Sequence, residues 1–236
     1  MKIFLKSILN FVLNPFLSRL KNKNLESLDK SIILNAKKLI NSQKNLSGTI
    51  NEYEFSAFSQ WGEDGIINFL IQNLDIKSKN FIEFGVENYL ESNTRFLLIN
   101  RNWSGLIMDI DKKNIFEIKN HYYYWRHDLK AVTAKITAEN INDLLEKNGF
   151  KKPIGLLSID IDGNDFWVWK NLDILDPDIV VIEYNYRFGS EKSLTIPYNP
   201  NFSRKMAHSS MVYYGASLKA LVKLAEKKGM KLVATN

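Results

Sequence analysis

The chain has 236 residues, 45% of them hydrophobic and 25% charged, which is a globular composition with room for one ordinary domain and an appendage. It has no cysteine, so disulfides, zinc-thiolate sites and a cysteine nucleophile are excluded, and a reducing compartment is permitted. The net charge is +6, but no nucleic-acid motif or aromatic-basic repeat accompanies it; most of the lysines read as solvated surface and no nucleic-acid partner is expected.

In residues 1–21, Lys2, Lys6, Asn10, Asn14 and Ser18 recur every fourth position. Helical spacing gathers them on one face and leaves Phe4, Leu5, Ile8, Phe11, Val12 and Leu17 on the other. The run is too broken to span a membrane and lacks a small-residue cleavage site. Two readings stand: a helix lying in the membrane interface, or an apolar face packed on the domain or on a partner. Residues 25–43 read as a second helix and residues 44–54 as a linker. The chain therefore divides into a helical extension with linker (1–54) and a main domain (55–236).

Strands and helices alternate from there. The pattern predicts helices over 62–74, 92–100, 112–120, 138–148, 165–171 and 217–228, with Gly149 and Gly229 as C-terminal caps. It predicts strands over 81–85, 105–110, 122–128, 154–161, 179–184 and 231–235. Near-continuous apolar strands such as Ile179-Val-Val-Ile182 fit a sheet covered on both faces. The alternation predicts an α/β fold, a Rossmann-like, doubly wound and mostly parallel sheet with right-handed crossovers.

The chemistry gathers at predicted strand ends. The first strand ends in Glu83-Phe84-Gly85, followed by a polar turn and a helix start, where such folds bind nucleotide-like cofactors. Asp109 and Asp111 end the second strand at the distance expected of an acid that bonds ribose hydroxyls. Asp160 and Asp162 end the fourth strand on one face by alternation. Paired carboxylates raise one another's pKa, which suits a base taking a proton from an alcohol. With Glu183 from the next strand end they also suit a hard divalent cation. Asp162-Gly163-Asn164 is at the same time a turn and cap sequence. Residues 186–213 form a long connection with little regular pattern, which reads as a lid or binding loop. Its Arg187, Tyr198, Arg204, Lys205 and Tyr213 suit a sugar or phosphorylated acceptor. His208 is a second candidate base, set against the plainer reading of an exposed loop histidine. Trp61, Trp167 and Trp169 read as core.

Four pieces in this order resemble a class I S-adenosylmethionine-dependent methyltransferase, most closely the FkbM type, over residues 58–236. They are Phe58-Ser-Gln-Trp-Gly-Glu-Asp-Gly65, Glu83-Phe-Gly85 with Glu91-Ser-Asn-Thr94, Met108-Asp-Ile-Asp111, and Ser158-Ile-Asp-Ile-Asp-Gly-Asn-Asp165. The resemblance implies that Glu83 and Gly85 lie under the methionine part of S-adenosylmethionine and that Asp109, with Asp111, holds the ribose. It implies that His127 and Asp128 sit beside the adenine, that Asp160 and Asp162 face the acceptor, and that Gln60 and Asp64 close over the cofactor. Two departures stand out. Glu87, Asn88 and Tyr89 occupy a turn where the family usually has further glycines. The sheet type ends in an antiparallel strand pair, whereas here the sequence supplies one strand at most, so the last strand is expected to be missing.

The expected activity is O-methylation of a sugar or glycan precursor, in the cytoplasm, with peripheral membrane contact through residues 1–21. Its rivals are a different nucleotide-cofactor enzyme on the same scaffold and a non-catalytic binding module.

Overall fold

The computed structural model describes the backbone of residues 2–43 and 48–236, and the side chains of residues 19–43 and 48–236. Helix α1 runs unbroken over Lys2–Ser42, where the sequence predicted two helices. Residues 22–24 contain neither glycine nor proline, and the Asn22 side chain is held by a hydrogen bond to the Asn120 carbonyl. The side chains of the amphipathic face read for residues 1–21 lie, up to residue 18, outside the described residues.

Five strands form the sheet: β1 (Asn80–Phe84), β2 (Ser104–Asp109), β3 (Leu129–Thr133), β4 (Ile154–Ile159) and β5 (Pro177–Ile182). All pairings are parallel, in the order β3-β2-β1-β4-β5. The remaining helices are α2 (Glu63–Asn73), α3 (Arg95–Arg101), α4 (Lys112–Lys119), α5 (Tyr122–Arg126), α6 (Ile141–Lys147), α7 (Asp165–Asn171), α8 (Arg204–Ala207) and α9 (Leu218–Lys227). Strand alternation splits the core in two. Phe81, Ile107 and Leu156 pack with α2, α3, α4 and α5 on one face. Ile82, Phe84, Leu106, Met108 and Leu157 pack with α6, α7 and α9 on the other. A third cluster joins Ala36 of α1 to Phe55, Phe58 and Phe96. Strand order reverses at β1, between β2 and β4, which opens a crevice at the carboxyl ends of these strands.

Two predicted strands are absent. Residues 122–126 are helical because Tyr122 and Tyr123 turn into the first core, and the Tyr122 hydroxyl bonds Asp29 at 2.6 Å. Tertiary packing overrides the strand preference of those aromatics. The real β3 follows, with buried Leu129 and Ala131 flanking exposed Lys130. Residues 231–235 form no ladder; Asn51 donates a hydrogen bond to the Thr235 carbonyl, so the tail docks against the chain near residue 51 rather than on the sheet. Among the described residues β5 is therefore an edge strand, in line with the expected missing strand.

Candidate active site at the carboxyl ends of the strands

Gly85 follows β1 with φ +74°, and its N–H bonds the Met108 carbonyl at 2.9 Å. A Cβ there would lie 1.5 Å from the Asp160 carbonyl oxygen, so only glycine lets the β1 and β4 ends meet so closely. Beyond it, Glu87 (φ +46°) and Tyr89 (φ +62°) take the left-handed backbone although neither is glycine. Two contacts compensate. The Glu87 N–H bonds Asp109 at 2.8 Å, and the Tyr89 ring is fully buried, with its hydroxyl on Thr94 Oγ1 at 2.8 Å. Tyr89 thus fills the core rather than the crevice.

Glu83 is 5% exposed and its carboxylate is used by its own chain. It accepts hydrogen bonds from Ser92 Oγ (2.5 Å), the Asn93 N–H (2.9 Å), Thr94 Oγ1 (2.6 Å) and the Thr94 N–H (3.2 Å). Burial raises its pKa, and these donors counter the rise. Glu83 thus clamps the Ser92-Asn93-Thr94 turn in place.

Asp109, at the end of β2, ties two loops together. One oxygen accepts from the Glu87 N–H, the other from the Asp111 N–H at 2.7 Å and from Asn114 Nδ2 at 3.3 Å. Each carboxylate oxygen has two lone pairs, so Oδ2 keeps an acceptor site free. Asp111 caps α4 by accepting from the Lys113 N–H at 2.8 Å. Between them Ile110 is 66% exposed, an apolar side chain left uncovered at the mouth of the crevice.

Asp160, Asp165 and Glu183 bring one carboxylate oxygen each within 4.8 Å of one another. Asp165 is buried and accepts from the Ile161 N–H (2.7 Å) and the Gly163 N–H (2.9 Å); burial still pushes it up to about 6. Asp160 is pushed up to about 7 by desolvation and by the charges of Asp165 and Asp162. It is exposed, so water tempers the desolvation and like-charge crowding is the firmer cause. Glu183, the less exposed partner, is raised further by burial and by Asp160, and one of its oxygens is buried with no hydrogen-bond partner. The two acids lie close enough to crowd one another, so together they hold a proton more readily than isolated carboxyls do.

Asp162, read as Asp160's catalytic partner, instead takes φ +59° and pairs with Arg204 at 2.5 Å. Asp165 takes its place in the cluster. Arg204 also lies 4.0 Å from Glu183 and 3.7 Å from the centre of the Tyr214 ring. It ties the 186–213 segment to Asp162 beside the cluster. Phe202 packs on Gly163, Asn164 bonds the Asn199 carbonyl and Trp167 the Ile196 carbonyl.

Other sequence candidates fall outside the cluster. His208 is exposed and bonds Ser210, four residues from Arg204 and with no bond to the carboxylates. Tyr198 anchors the segment to Glu139 and the Ala138 N–H. Arg187 is exposed and stacks on Tyr186. Asp64 is buried and gathers the N–H groups of Ala57, Phe58 and Ser59 at 2.9, 2.6 and 2.8 Å. Its implied closure over the cofactor is corrected to support of the loop, while the neighbouring Gln60 is exposed. Trp61, read as core, is 71% exposed beside Gln60. The largest displacement is at Asp128. It precedes β3, its carbonyl bonding the Gly105 N–H, so it stands at the amino ends of the strands. It cannot reach a cofactor at the carboxyl ends; the misplaced third strand caused the error, and His127 moves with it.

Sequence reasoning missed Asn185, fully buried after β5, which donates to the Val212 and Tyr214 carbonyls and so fixes where the 186–213 segment returns to the sheet. It also missed Arg95. That guanidinium is buried between the Phe58 and Tyr123 rings, bonds the Leu90 carbonyl at 2.9 Å and pairs with Asp29 of α1 at 2.6 Å. An aspartate on a helix face otherwise apolar was the readable signal for that pair.

A glycine-turned β1 end, an acid ending β2 and carboxylates ending β4 on an all-parallel 3-2-1-4-5 sheet define a Rossmann-like α/β protein with its site at the carboxyl ends of the strands. The family model for the methyltransferase FkbM domain matches residues 41–213, and the chain belongs to that family. Among solved structures, the O-methyltransferase from Bacillus cereus in complex with SAH aligns at 16% identity over 67% of this chain and 68% of that one, with a TM-score of 0.38. The N-terminal domain of EvdMO1 with SAH bound aligns at 11% identity over 84% and 86%, with a TM-score of 0.44. No curated protein matches the chain.

Proposed function

We propose that this protein is an S-adenosylmethionine-dependent O-methyltransferase acting on a hydroxyl of a sugar or glycan precursor. The convergence of Gly85, Asp109 and Asp160 at the carboxyl ends of β1, β2 and β4 carries the reading. The residues present fit the cofactor. Asp109 keeps an acceptor position for a ribose hydroxyl, exposed Ile110 offers an apolar surface for the adenine, and Gly85 leaves its turn without a side chain. When bound, the cofactor supplies a methyl group on a positively charged sulfur.

The chain itself positions the acceptor and moves its proton. Asp160 takes the hydroxyl proton, and desolvation and the charges of Asp165 and Asp162 beside it raise its affinity for that proton. The segment bearing Arg204 supplies a cation beside the cluster, which favours a polyhydroxylated or anionic acceptor. Membership of a methyltransferase family, a charge-crowded base and a neighbouring cation all support this reading.

Calorimetric titration with S-adenosylmethionine, SAH and NAD tests the cofactor. Binding of the first two supports the proposal, binding of NAD alone favours the dinucleotide enzyme, and binding of none favours the non-catalytic module. With an acceptor in hand, Asp160→Asn is expected to lower kcat about 10²–10⁴-fold with SAH affinity retained. In the parent, activity rises with pH through about 7 as Asp160 loses its proton. Unchanged kcat in the variant would remove Asp160 as the base. A rate that instead depends on added magnesium would assign the three carboxylates to a hard cation.

A further inference from the structure

We propose that the face of the molecule at the amino-terminal ends of the strands is a docking surface for an anionic lipid bilayer. Lys79 and Trp103 stand just before β1 and β2, so this face lies opposite Asp109 and Asp160. Two grooves cross it where α1 passes over the domain. One, of about 490 Å³, is lined by Lys30, Leu34, Lys37, Arg126 and His127. The other, of about 740 Å³, is lined by Lys37, Leu74, Lys79, Arg101 and Trp103.

Asp128, Asp176 and Asp178 also stand on this face, the last two beside Lys77, but within the two grooves the charge is one-sided. The single acid in the first groove, Glu26, is already shared by Lys30 and Arg126 at 2.6 Å each, and the second groove has none. Apolar side chains stand uncovered beside these cations: Trp125 is 68% exposed under the Arg126 guanidinium, and Leu34 is 56% exposed. Exposed tryptophan and leucine among lysines and arginines suit the headgroup layer, where the ring enters the interface and the cations meet lipid phosphates. The face is continuous with α1, whose first turns carry Lys2 and Lys6 among apolar residues in the sequence. Among the described residues no helix is long and apolar enough to cross a membrane, so the contact is peripheral. Docked this way, the molecule keeps the crevice open to the aqueous side.

Cosedimentation of the full chain with vesicles tests the proposal, using phosphatidylcholine alone or mixed with phosphatidylglycerol. Binding is expected only with phosphatidylglycerol present, and it is lost in high salt. The combined variant Lys30→Glu, Lys37→Glu, Trp125→Ala is expected to keep the parent's melting curve and to partition at least about tenfold more weakly, each basic residue counting about fivefold. A control, Lys223→Glu with Lys227→Glu on α9, is expected to bind like the parent. Equal binding to pure phosphatidylcholine, or no vesicle binding, overturns the proposal and leaves the face to a protein partner. Undiminished binding by the triple variant, or equal weakening in the control, overturns it as well.

Discussion

At Gly85 the backbone takes φ +74°, and an added Cβ would meet the Asp160 carbonyl oxygen at 1.5 Å. One residue therefore sets the distance between the two strand ends that carry the proposed cofactor and base. Gly85→Ala is expected to separate them, abolish measurable SAH binding by calorimetry and lower the melting temperature; an alanine variant with parental affinity would show that the turn is not part of the site. Glu83 and Asp109 teach a related lesson. Both were legible as acids at strand ends, but only the folded loops show that Glu83 is consumed by Ser92-Asn93-Thr94 while Asp109 retains acceptor capacity. The side-chain type was readable; its free lone pairs were not.

At the scale of elements, α1 is joined to the site by a buried ion pair rather than by apolar contact alone. Asp29 holds Arg95, and Arg95 holds the Leu90 carbonyl in the loop between β1 and α3. Asp29→Asn leaves a buried guanidinium without its counter-charge and is expected to cost about 3–5 kcal/mol in chemical denaturation. A loss under about 1 kcal/mol would mean that α1 is a dispensable appendage. The boundary drawn at residue 54 concealed this coupling, because the pairing of positions 29 and 95 is a property of packing and not of either segment. Helix α5 is a second case. Its tyrosines favour a strand in isolation, and burial against Tyr89 and Asp29 makes them helical.

For the whole molecule, a basic chain carries a buried acidic interior, and this determines how stability responds to pH. Asp64 and Asp165 sit at about 6, against 3.8 for an ordinary aspartate, with burial the first cause in both. Asp160 and Glu183 are raised as well. Raised carboxyls keep their protons in the folded state after the unfolded chain has released them, so the unfolded state binds fewer protons above about pH 4. Stability contributed in this way is complete in acid and lost as pH rises through the folded-state values. The exposed glutamates Glu26, Glu139 and Glu146 are lowered by their partners, but their window lies below the ordinary 4.5 and solvent screens them. The melting temperature is expected to be highest near pH 5 and to decline toward pH 8; scanning calorimetry with a flat or rising profile would contradict these burials. The sequence by itself determined the alternating α/β order, four of the five strands and the acids that end β1, β2 and β4, because strand periodicity and turn chemistry are local. It misread β3, added a strand at residues 231–235 and set Asp128 at the wrong end of the sheet. Which carboxylates crowd together, which are spent on backbone donors and how α1 attaches were decided by tertiary structure alone, because burial and the pairing of distant charges exist only once the chain has folded.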